Sequence, residues 1–330
     1  MTDSISRRRF LQIVAASGAA ALALKFGIDR LNQPVIARES RLLMGTVVNL
    51  TVIGGDEQTA YAALRSCLDG MAGLEGVLSR FQPQSQLSQL NRLGELSHAH
   101  PALTALIRQS LELSRFSDGA FDITIKPLVD LYQSYQADGK GLPGAEQVNE
   151  RRALVDYRRL TLDGDRISFK IPGMSISLDA IAKGYIVDVG VGLLRQAGFP
   201  NILVEAGGDL MASGEKGNEA PWQIGILSPR EGQQKYLGRL SVIDQAVATS
   251  GDYMQAFVSD FSEHHILDPH TGYSPPQLAS ATVVAPTAAL ADGLATTLMV
   301  TGSQAGAQFL RQFDGCEAYL VTKDLAIIRL

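Results

Sequence analysis

The fold class is decided by residues 180–209, whose sequence is AIAKGYIVDVGVGLLRQAGFPNILVEAGGD. Good helix formers predict a helix over about 180–197, and Gly198, with Pro200 two residues further on, ends it. The next segment, 201–204, contains a short apolar run and predicts a strand. A helix therefore leads directly into the part of the chain where strand patterns dominate.

The patterns on either side of this stretch alternate irregularly between strand and helix. Irregular alternation predicts an α+β fold with a mixed or antiparallel sheet and packed helices, not a doubly wound parallel sheet. No Pro/Ser linker divides the chain, so we assign residues 38–330 to one domain. The predicted strands are 46–53, two that flank a turn at 163–165 within 159–171, 222–228, 237–249, 264–267, 279–285, 316–322 and 325–329. The predicted helices are 57–79, 101–116, 288–301 and 303–313, with a loop at 136–148.

Composition and charge exclude one class of partner. The 330 residues are 45% hydrophobic and 19% charged, with a net charge of -5. Residues 1–26 are net positive, so the rest of the chain is more acidic than this total. Phosphate backbones are bound by clustered Lys and Arg, and an acidic body without a basic run argues against nucleic acid.

The N-terminus has the pattern of an export signal. Ser6-Arg7-Arg8-Arg9-Phe10-Leu11-Gln12 resembles the twin-arginine motif, and an apolar run at 13–24 follows it. That run is shorter than the roughly 20 residues that span a membrane. We interpret residues 1–26 as a twin-arginine signal, which predicts a periplasmic protein or one on the outer face of the inner membrane. Membrane association is expected only through an uncleaved signal. An amphipathic first helix is the alternative, but the run has no polar face.

Three groups of residues can carry chemistry, and each has a plain structural alternative. Asp292 and Thr296 lie four apart on a predicted helix, where their oxygens form half of a site suited to Mg²⁺; dipole stabilisation of Asp292 is the alternative. The glycines of Glu205-Ala206-Gly207-Gly208-Asp209 can approach a phosphate or form a strand-to-strand turn. The histidine-rich segment 264–270 can supply a general base or hold solvated side chains.

The two cysteines, Cys67 and Cys316, are far apart and have no metal-type spacing. In an oxidising compartment they can form one disulfide, and two buried free thiols are the alternative. We assign no function to either residue.

Eight short blocks of the sequence, taken in order from about residue 40 to the C-terminus, form a series. The blocks are Met44-Gly45-Thr46; Leu78-Ser79-Arg80-Phe81 with 88–91; Ser117-Asp118-Gly119-Ala120-Phe121-Asp122-Ile123-Thr124; Ser177-Leu178-Asp179-Ala180-Ile181-Ala182-Lys183-Gly184-Tyr185; Ala206-Gly207-Gly208-Asp209; Ala248-Thr249-Ser250-Gly251-Asp252-Tyr253; His265-Ile266-Leu267-Asp268-Pro269 with 271–272; and Ala285-Pro286-Thr287 with 291–292. This series resembles the ApbE family. Eight blocks in the correct order are far more specific than any one of them.

The resemblance implies transfer of FMN from FAD, with release of AMP, to a threonine or serine hydroxyl. The acceptor would be an exported or membrane-bound redox protein with a Thr-containing motif, and Mg²⁺ would be the cofactor. By resemblance, Asp292, Thr296 and the Ala180 carbonyl would bind Mg²⁺, and Asp292 and His265 would be catalytic, with His264 as the alternative base. FAD would contact Met44, Phe81, Ala120, Phe121, Asp122, Ser177, Lys183 and Ile266.

The chain departs from the family pattern at a few positions, and two other functions share the same site. The departures are Lys126, Glu205, His270 and Ala295. An FAD pyrophosphatase that gives FMN and AMP would use the same residues without a protein acceptor. A non-catalytic periplasmic flavin-binding protein would be expected to have a degenerate metal site, and the retained Asp292, Thr296 and His265 argue against it.

Overall fold

A computed structural model describes residues 34–217, 219–230 and 236–330. The predicted signal at 1–26 therefore lies outside the described residues. The helices are α1 (Glu57–Leu78), α2 (Gln86–Leu93), α3 (Pro101–Phe116), α4 (Lys126–Ala137), α5 (Ala145–Arg152), α6 (Ala182–Gln196) and α7 (Ala288–Leu310). In the part of the chain that is described, no helix is both long enough and apolar enough to cross a membrane.

The strands form three sheets. They are β1 (Ile36–Leu43), β2 (Thr46–Ile53), β3 (Glu95–Leu96), β4 (Leu160–Asp163), β5 (Arg166–Phe169), β6 (Asn201–Ala206), β7 (Asp209–Ser213), β8 (Trp222–Leu227), β9 (Tyr236–Val242), β10 (Gln245–Gly251), β11 (Leu278–Ala285), β12 (Glu317–Thr322) and β13 (Ile327–Arg329). The main sheet has the order β1-β2-β6-β7-β10-β11-β12-β13, and the small sheets are β3-β5-β4 and β8-β9. Every pairing is antiparallel, so the predicted α+β class with an antiparallel sheet is confirmed.

The main sheet is covered on both faces at its centre. Helices α1, α6 and α7 pack together, and α7 lies against β10 and β11. On the other face, the β8–β9 hairpin places Trp222, Ile226 and Leu240 against Val247 and Val284 of the sheet. Strand β11 is consequently buried at all eight positions. A strand buried on both faces has a continuous apolar sequence instead of an alternating one.

Several predicted boundaries are wrong, for local reasons. Residues 264–267 do not form a strand: His264 makes one isolated bridge to Ala256, and the chain then enters a turn closed by Asp268. The predicted strand 237–249 is two strands, β9 and β10, because the backbone turns at Asp244 with a φ of 49°.

Six helices and strands had no strong signal in the sequence. Helix α2 is only eight residues long, α4 and α5 overlap the predicted loop at 136–148, and β1 precedes the predicted first strand. Strand β3 has only two residues, and β7 follows the glycine pair without having been predicted as a strand. The two predicted helices at 288–301 and 303–313 are found as α7, whose backbone leaves helical geometry at Gly302 with φ 70° and ψ -170°.

Replacing Gly302 with alanine is expected to destabilise the fold by about 1–3 kcal/mol, because this region of φ/ψ is essentially restricted to glycine. A Cβ there would also meet the Gln277 side-chain oxygen at 2.0 Å. Gly192 is the matched control: it lies inside α6 with no neighbour within 4 Å of an added Cβ, so Gly192→Ala should be neutral or stabilising by up to about 1 kcal/mol. Urea unfolding of both variants measures the difference, and equal effects would contradict the assignment of a strained Gly302.

Candidate active site

The candidate site lies where the first turns of α6 and α7 meet the start of β7. Asp292, on α7, is 4% exposed, and its Oδ2 accepts the Gly184 N–H at 3.3 Å. Burial raises the pKa of the Asp292 carboxyl above its ordinary value, while the charge of Lys183 acts in the opposite direction. A buried carboxylate with one long protein hydrogen bond retains the capacity to bind a cation.

Lys183 supplies the positive charge of the site. Its Nζ forms an ion pair with Asp209 Oδ2, and Asp209 is itself 1% exposed. Burial alone would lower the pKa of Lys183, but the nearby carboxylates of Asp209 and Asp292 raise it, so the amine stays charged. The second Asp209 oxygen accepts the Thr249 N–H at 3.3 Å. Lys183 is thus held in place by a fixed anion and remains beside Asp292.

The glycine pair before Asp209 forms a turn. Gly207 and Gly208 connect β6 to β7, and the Gly208 N–H donates to Glu205 Oε1 at 2.7 Å. Burial raises the pKa of Glu205, whose other oxygen accepts the Asn49 amide at 2.5 Å. The structural alternative, a strand-to-strand turn, is therefore present, and phosphate binding by these glycines stays a prediction.

The three predicted metal ligands provide oxygen atoms of different kinds. Thr296 lies one turn after Asp292 and is partly exposed between buried neighbours; its Oγ1 is 3.0 Å from Ser250 Oγ. In a regular first turn, the Gly184 N–H would donate to the Ala180 carbonyl, but here it donates to Asp292. Among residues 34–217, 219–230 and 236–330, no backbone N–H donates to the Ala180 carbonyl oxygen. A carboxylate, a hydroxyl and a free carbonyl are hard oxygen ligands of the type that Mg²⁺ prefers.

Within the described residues no group of three or more His, Cys, Asp or Glu side chains can hold a metal ion. The predicted ligand set contains only one such side chain, Asp292, so it is of a different kind. Mg²⁺ commonly binds through one or two carboxylates and completes its coordination with substrate phosphates and water.

The structure separates the two neighbouring histidines. His264 is fully buried, and burial lowers its pKa to about 4. His265 is half-buried, and its Nδ1 lies 3.3 Å from the Gln255 carbonyl oxygen. A carbonyl only accepts, so the proton is placed on Nδ1 and Nε2 carries the free lone pair.

The environment of His265 also favours its neutral form. Burial lowers its pKa, and the charges that act on the ring include those of Asp179 and Lys183. His265 therefore lies within electrostatic reach of the candidate site and has the protonation state of a general base. Between the two histidines, the geometry favours His265.

Phe81 is presented to solvent beside this centre. Its ring is 72% exposed, the Arg80 guanidinium lies 4.1 Å above the ring, and Arg80 Nε donates to Asp179 Oδ2 at 2.6 Å. The side chain of Arg80 is only 8% exposed. An exposed aromatic ring whose other face packs on a fixed cation is suited to stacking with a flat ligand. Sequence reasoning assigned no role to Arg80, Asp179, Asp209 or Ser250.

The remaining predicted FAD contacts lie on turns around the site. Asp122 is 8% exposed, and its carboxylate accepts hydrogen bonds from Thr124 N, Thr124 Oγ1 and Tyr157 N at 2.8, 2.7 and 2.8 Å. These bonds use the Asp122 side chain to hold its own turn. The same turn accepts the Ser177 N–H through the Ile123 carbonyl at 2.8 Å. Met44 lies in the β1–β2 turn, and Ala120, Phe121 and Ile266 are buried. Their contacts with FAD stay predictions.

Cys67 and Cys316 are free thiols in the structure, so the disulfide alternative is not the one found. Cys67 is buried in α1, and burial raises its pKa to about 12. Neither thiol takes part in the candidate site.

The fold and the arrangement of this site define a family. The model of the ApbE family matches residues 44–320, and the chain belongs to that family. The predicted resemblance is therefore confirmed.

Known relatives match over most of their length. The FAD:protein FMN transferase of Vibrio cholerae is 32% identical over 271 residues, which is 80% of each chain. That of Klebsiella pneumoniae (strain 342) is 32% identical over 298 residues, covering 88% of this chain and 90% of the relative. The solved structure of the flavin transferase ApbE from Vibrio cholerae superposes with a TM-score of 0.76 at 30% identity, covering 90% of this chain and 97% of that one. The ApbE protein of Thermotoga maritima gives a TM-score of 0.78 at 29% identity, with the same coverage.

Proposed function

We propose that this chain is an FAD:protein FMN transferase that uses Mg²⁺ to move FMN from FAD to a threonine or serine hydroxyl of another protein. In this reaction the hydroxyl oxygen bonds to the FMN phosphorus, the bond from that phosphorus to the bridging oxygen breaks, and AMP leaves. The observation that carries the proposal is the buried Asp292 carboxylate beside Lys183, whose charge also acts on His265. Relatives that bear this name at about 30% identity support it.

Asp292, Thr296 and the Ala180 carbonyl would hold the metal ion. The chemistry that Mg²⁺ would supply there is neutralisation of phosphate charge during displacement at phosphorus. The oxygen types at the three positions support this choice of ligand set. Lys183, kept charged by Asp209, would bind a phosphate oxygen by a charge-assisted hydrogen bond.

His265 would accept the proton of the attacking hydroxyl at Nε2. The Gln255 carbonyl orients the ring through Nδ1, and the lowered pKa keeps Nε2 unprotonated near neutral pH. A positioned base contributes typically 10²–10⁴-fold to a rate. Phe81 would support a flat ring of FAD on the face opposite Arg80.

We also propose that the protein acts after export, on an exported or membrane-bound redox subunit with a Thr-containing motif. The twin-arginine pattern at residues 6–12 supports export. The acidic composition of the chain as a whole argues against nucleic acid and thus favours a protein as the acceptor.

Product analysis tests the proposed reaction. The purified chain is incubated with FAD and Mg²⁺, with and without an acceptor, and the flavin and adenine products are separated by chromatography. Transfer predicts AMP release that depends on the acceptor, with FMN remaining on protein. Equal amounts of free FMN and AMP without an acceptor would instead establish a pyrophosphatase. FAD that stays intact under all conditions would indicate a flavin-binding protein without catalytic activity.

Mg²⁺ binding is expected to weaken on acidification at a higher pH than for an ordinary aspartate site. Burial raises the pKa of Asp292, and the metal must displace its proton. Below the raised pKa, each pH unit should lower the apparent Mg²⁺ affinity about tenfold, and above it the affinity should be constant. Calorimetric titration at a series of pH values measures this. An affinity that stays constant down to about pH 4, the ordinary range of an aspartate, would contradict the predicted coupling.

A further inference from the structure

The N-terminus of α7 is bound by a side chain from another helix. Asp188, on α6, accepts the Ala288 N–H through Oδ1 at 2.7 Å and the Ala289 N–H through Oδ2 at 2.9 Å. These are the first two N–H groups of α7, which have no acceptor within their own helix. The carboxylate therefore satisfies two helix donors and lies at the positive end of the helix dipole.

The same face of α6 makes a second, tighter contact. Gly184 lies four residues before Asp188, so both project towards the same neighbour. A Cβ added to Gly184 would lie 2.2 Å from the Ala288 carbonyl oxygen, so the two backbones touch directly. The Gly184 N–H also donates to Asp292 at 3.3 Å. The crossing of α6 and α7 is thus fixed at three points within one turn of each helix.

This crossing brings together groups that lie far apart in sequence. Lys183 lies in the first turn of α6 and Ala180 just before that helix, while Asp292 and Thr296 belong to α7. A rotation or slide of α7 relative to α6 would separate these two halves. Among the three contacts just described, the one at Asp188 is the only one in which an ionisable side chain of α6 binds the N-terminus of α7.

We propose that Asp188 is a positioning residue that sets the register of α7 on α6 and thereby holds the Asp292 and Thr296 oxygens against the Ala180 carbonyl. The inference rests on the proposed metal-dependent function. Both Asp188 carboxylate oxygens accept backbone N–H groups of α7, so Asp188 acts through the backbone of residues 288 and 289. Groups that orient metal ligands in this way typically change metal affinity about 10–100-fold when they are removed.

Thr287 provides a matched control at the same helix end. Its Oγ1 accepts the Leu290 N–H at 3.3 Å and caps α7 from within the same segment. Thr287→Ala therefore weakens the helix end without breaking a link to α6. Asp188→Asn keeps the shape of the side chain and one acceptor oxygen, but its amide group cannot accept the second N–H.

The test measures Mn²⁺ binding to the full chain with FAD present, from the electron paramagnetic resonance signal of free Mn²⁺, against a blank with FAD alone. We expect Asp188→Ala to lose about 10-fold or more in Mn²⁺ affinity, Asp188→Asn to lose less, and Thr287→Ala to bind as the wild type does. Hydrogen exchange should quicken at the Ala288 and Ala289 amides in both Asp188 variants. In FMN transfer, the Asp188→Asn variant should need more Mg²⁺ for half-maximal rate and recover most of its kcat at saturating Mg²⁺.

The outcomes separate this inference from the proposed function. Wild-type Mn²⁺ affinity in both Asp188 variants, with only a lowered Tm, would overturn the positioning role and leave the metal site intact. A kcat of Asp188→Asn that saturating Mg²⁺ does not restore would also contradict it. Absence of Mn²⁺ binding by the wild-type chain would overturn the metal site itself, and the inference with it.

Discussion

Asp292→Ala is expected to reduce the rate of FMN transfer by about a thousandfold or more. Metal stabilisation of charge in phosphoryl transfer is worth several kcal/mol, and about 4 kcal/mol corresponds to this factor. Asp292 is the one charged side chain among the three proposed ligands, and it is 4% exposed. Asp292→Asn should be almost as inactive, because it keeps the shape and removes the charge. The measurement is the initial rate of AMP release at saturating FAD and acceptor.

The adjacent threonines of α7 control for damage to the helix. Thr296 is partly exposed and faces Ser250, whereas Thr297 is fully buried and its hydroxyl donates to the Gly293 carbonyl at 2.7 Å. Thr296→Ala should lower activity with little change in Tm, and Thr296→Ser should restore it. Thr297→Ala should lower Tm and leave kcat near that of the wild type. An Asp292→Ala variant that retains activity within tenfold would contradict the proposed metal site.

His265→Gln is expected to lower the transfer rate about 10²–10⁴-fold, the usual contribution of a positioned general base. The side chain is half-buried, so the variant should fold with a Tm near that of the wild type. Burial lowers the pKa of His265, so at Mg²⁺ concentrations that saturate the site throughout the pH range, the acidic limb of the wild-type pH–rate profile should lie below the ordinary histidine range of about 6.5. The variant should lack this limb, since it has no imidazole to protonate.

His264 is the matched control for this substitution. It is fully buried, so His264→Gln should chiefly lower Tm, with activity reduced only in proportion to the loss of folded protein. The opposite pattern would assign the base to His264: full activity in His265→Gln, and a large loss in His264→Gln at unchanged Tm. An unchanged pH–rate profile in His265→Gln would also exclude His265 as the base.

The class of the fold could be predicted from local patterns. The 180–209 stretch predicts a helix ended by Gly198 and then one strand, and both are present as α6 and β6; β7, which begins at Asp209, was not predicted. Elements without a clear pattern were missed: α2 is short, and the apolar residues of α4 and α5 pack into a small separate cluster with the loop near Leu267. Segment 264–267 has the apolar content of a strand, but the hydrogen bonds of Asp268 close a turn there, and tertiary context overrides propensity.

The residues of the candidate site that could be found from the sequence are those that lie close together in the chain or belong to one of the blocks that resemble the family. Asp292 and Thr296 are related by helical spacing, which a sequence displays directly. The pairs Arg80 with Asp179 and Asp188 with Ala288 join residues about 100 positions apart, and no periodicity relates them. Lys183 shows what the sequence could not supply. The resemblance predicts a cation near phosphate at this position, but the ion pair with the buried Asp209, which holds the amine in place, is seen only in the folded chain.

FMN transfer to protein is tested most directly by the mass of the acceptor. The chain, FAD, Mg²⁺ and a Thr-containing acceptor are incubated, and the acceptor is then analysed by intact and tandem mass spectrometry. We expect a mass gain equal to one FMN, located on a threonine or serine, and we expect this gain to be lost when EDTA is added or when Asp292→Ala replaces the wild type. An unmodified acceptor with FAD hydrolysed to free FMN and AMP, or a modification that persists in EDTA, would contradict this expectation.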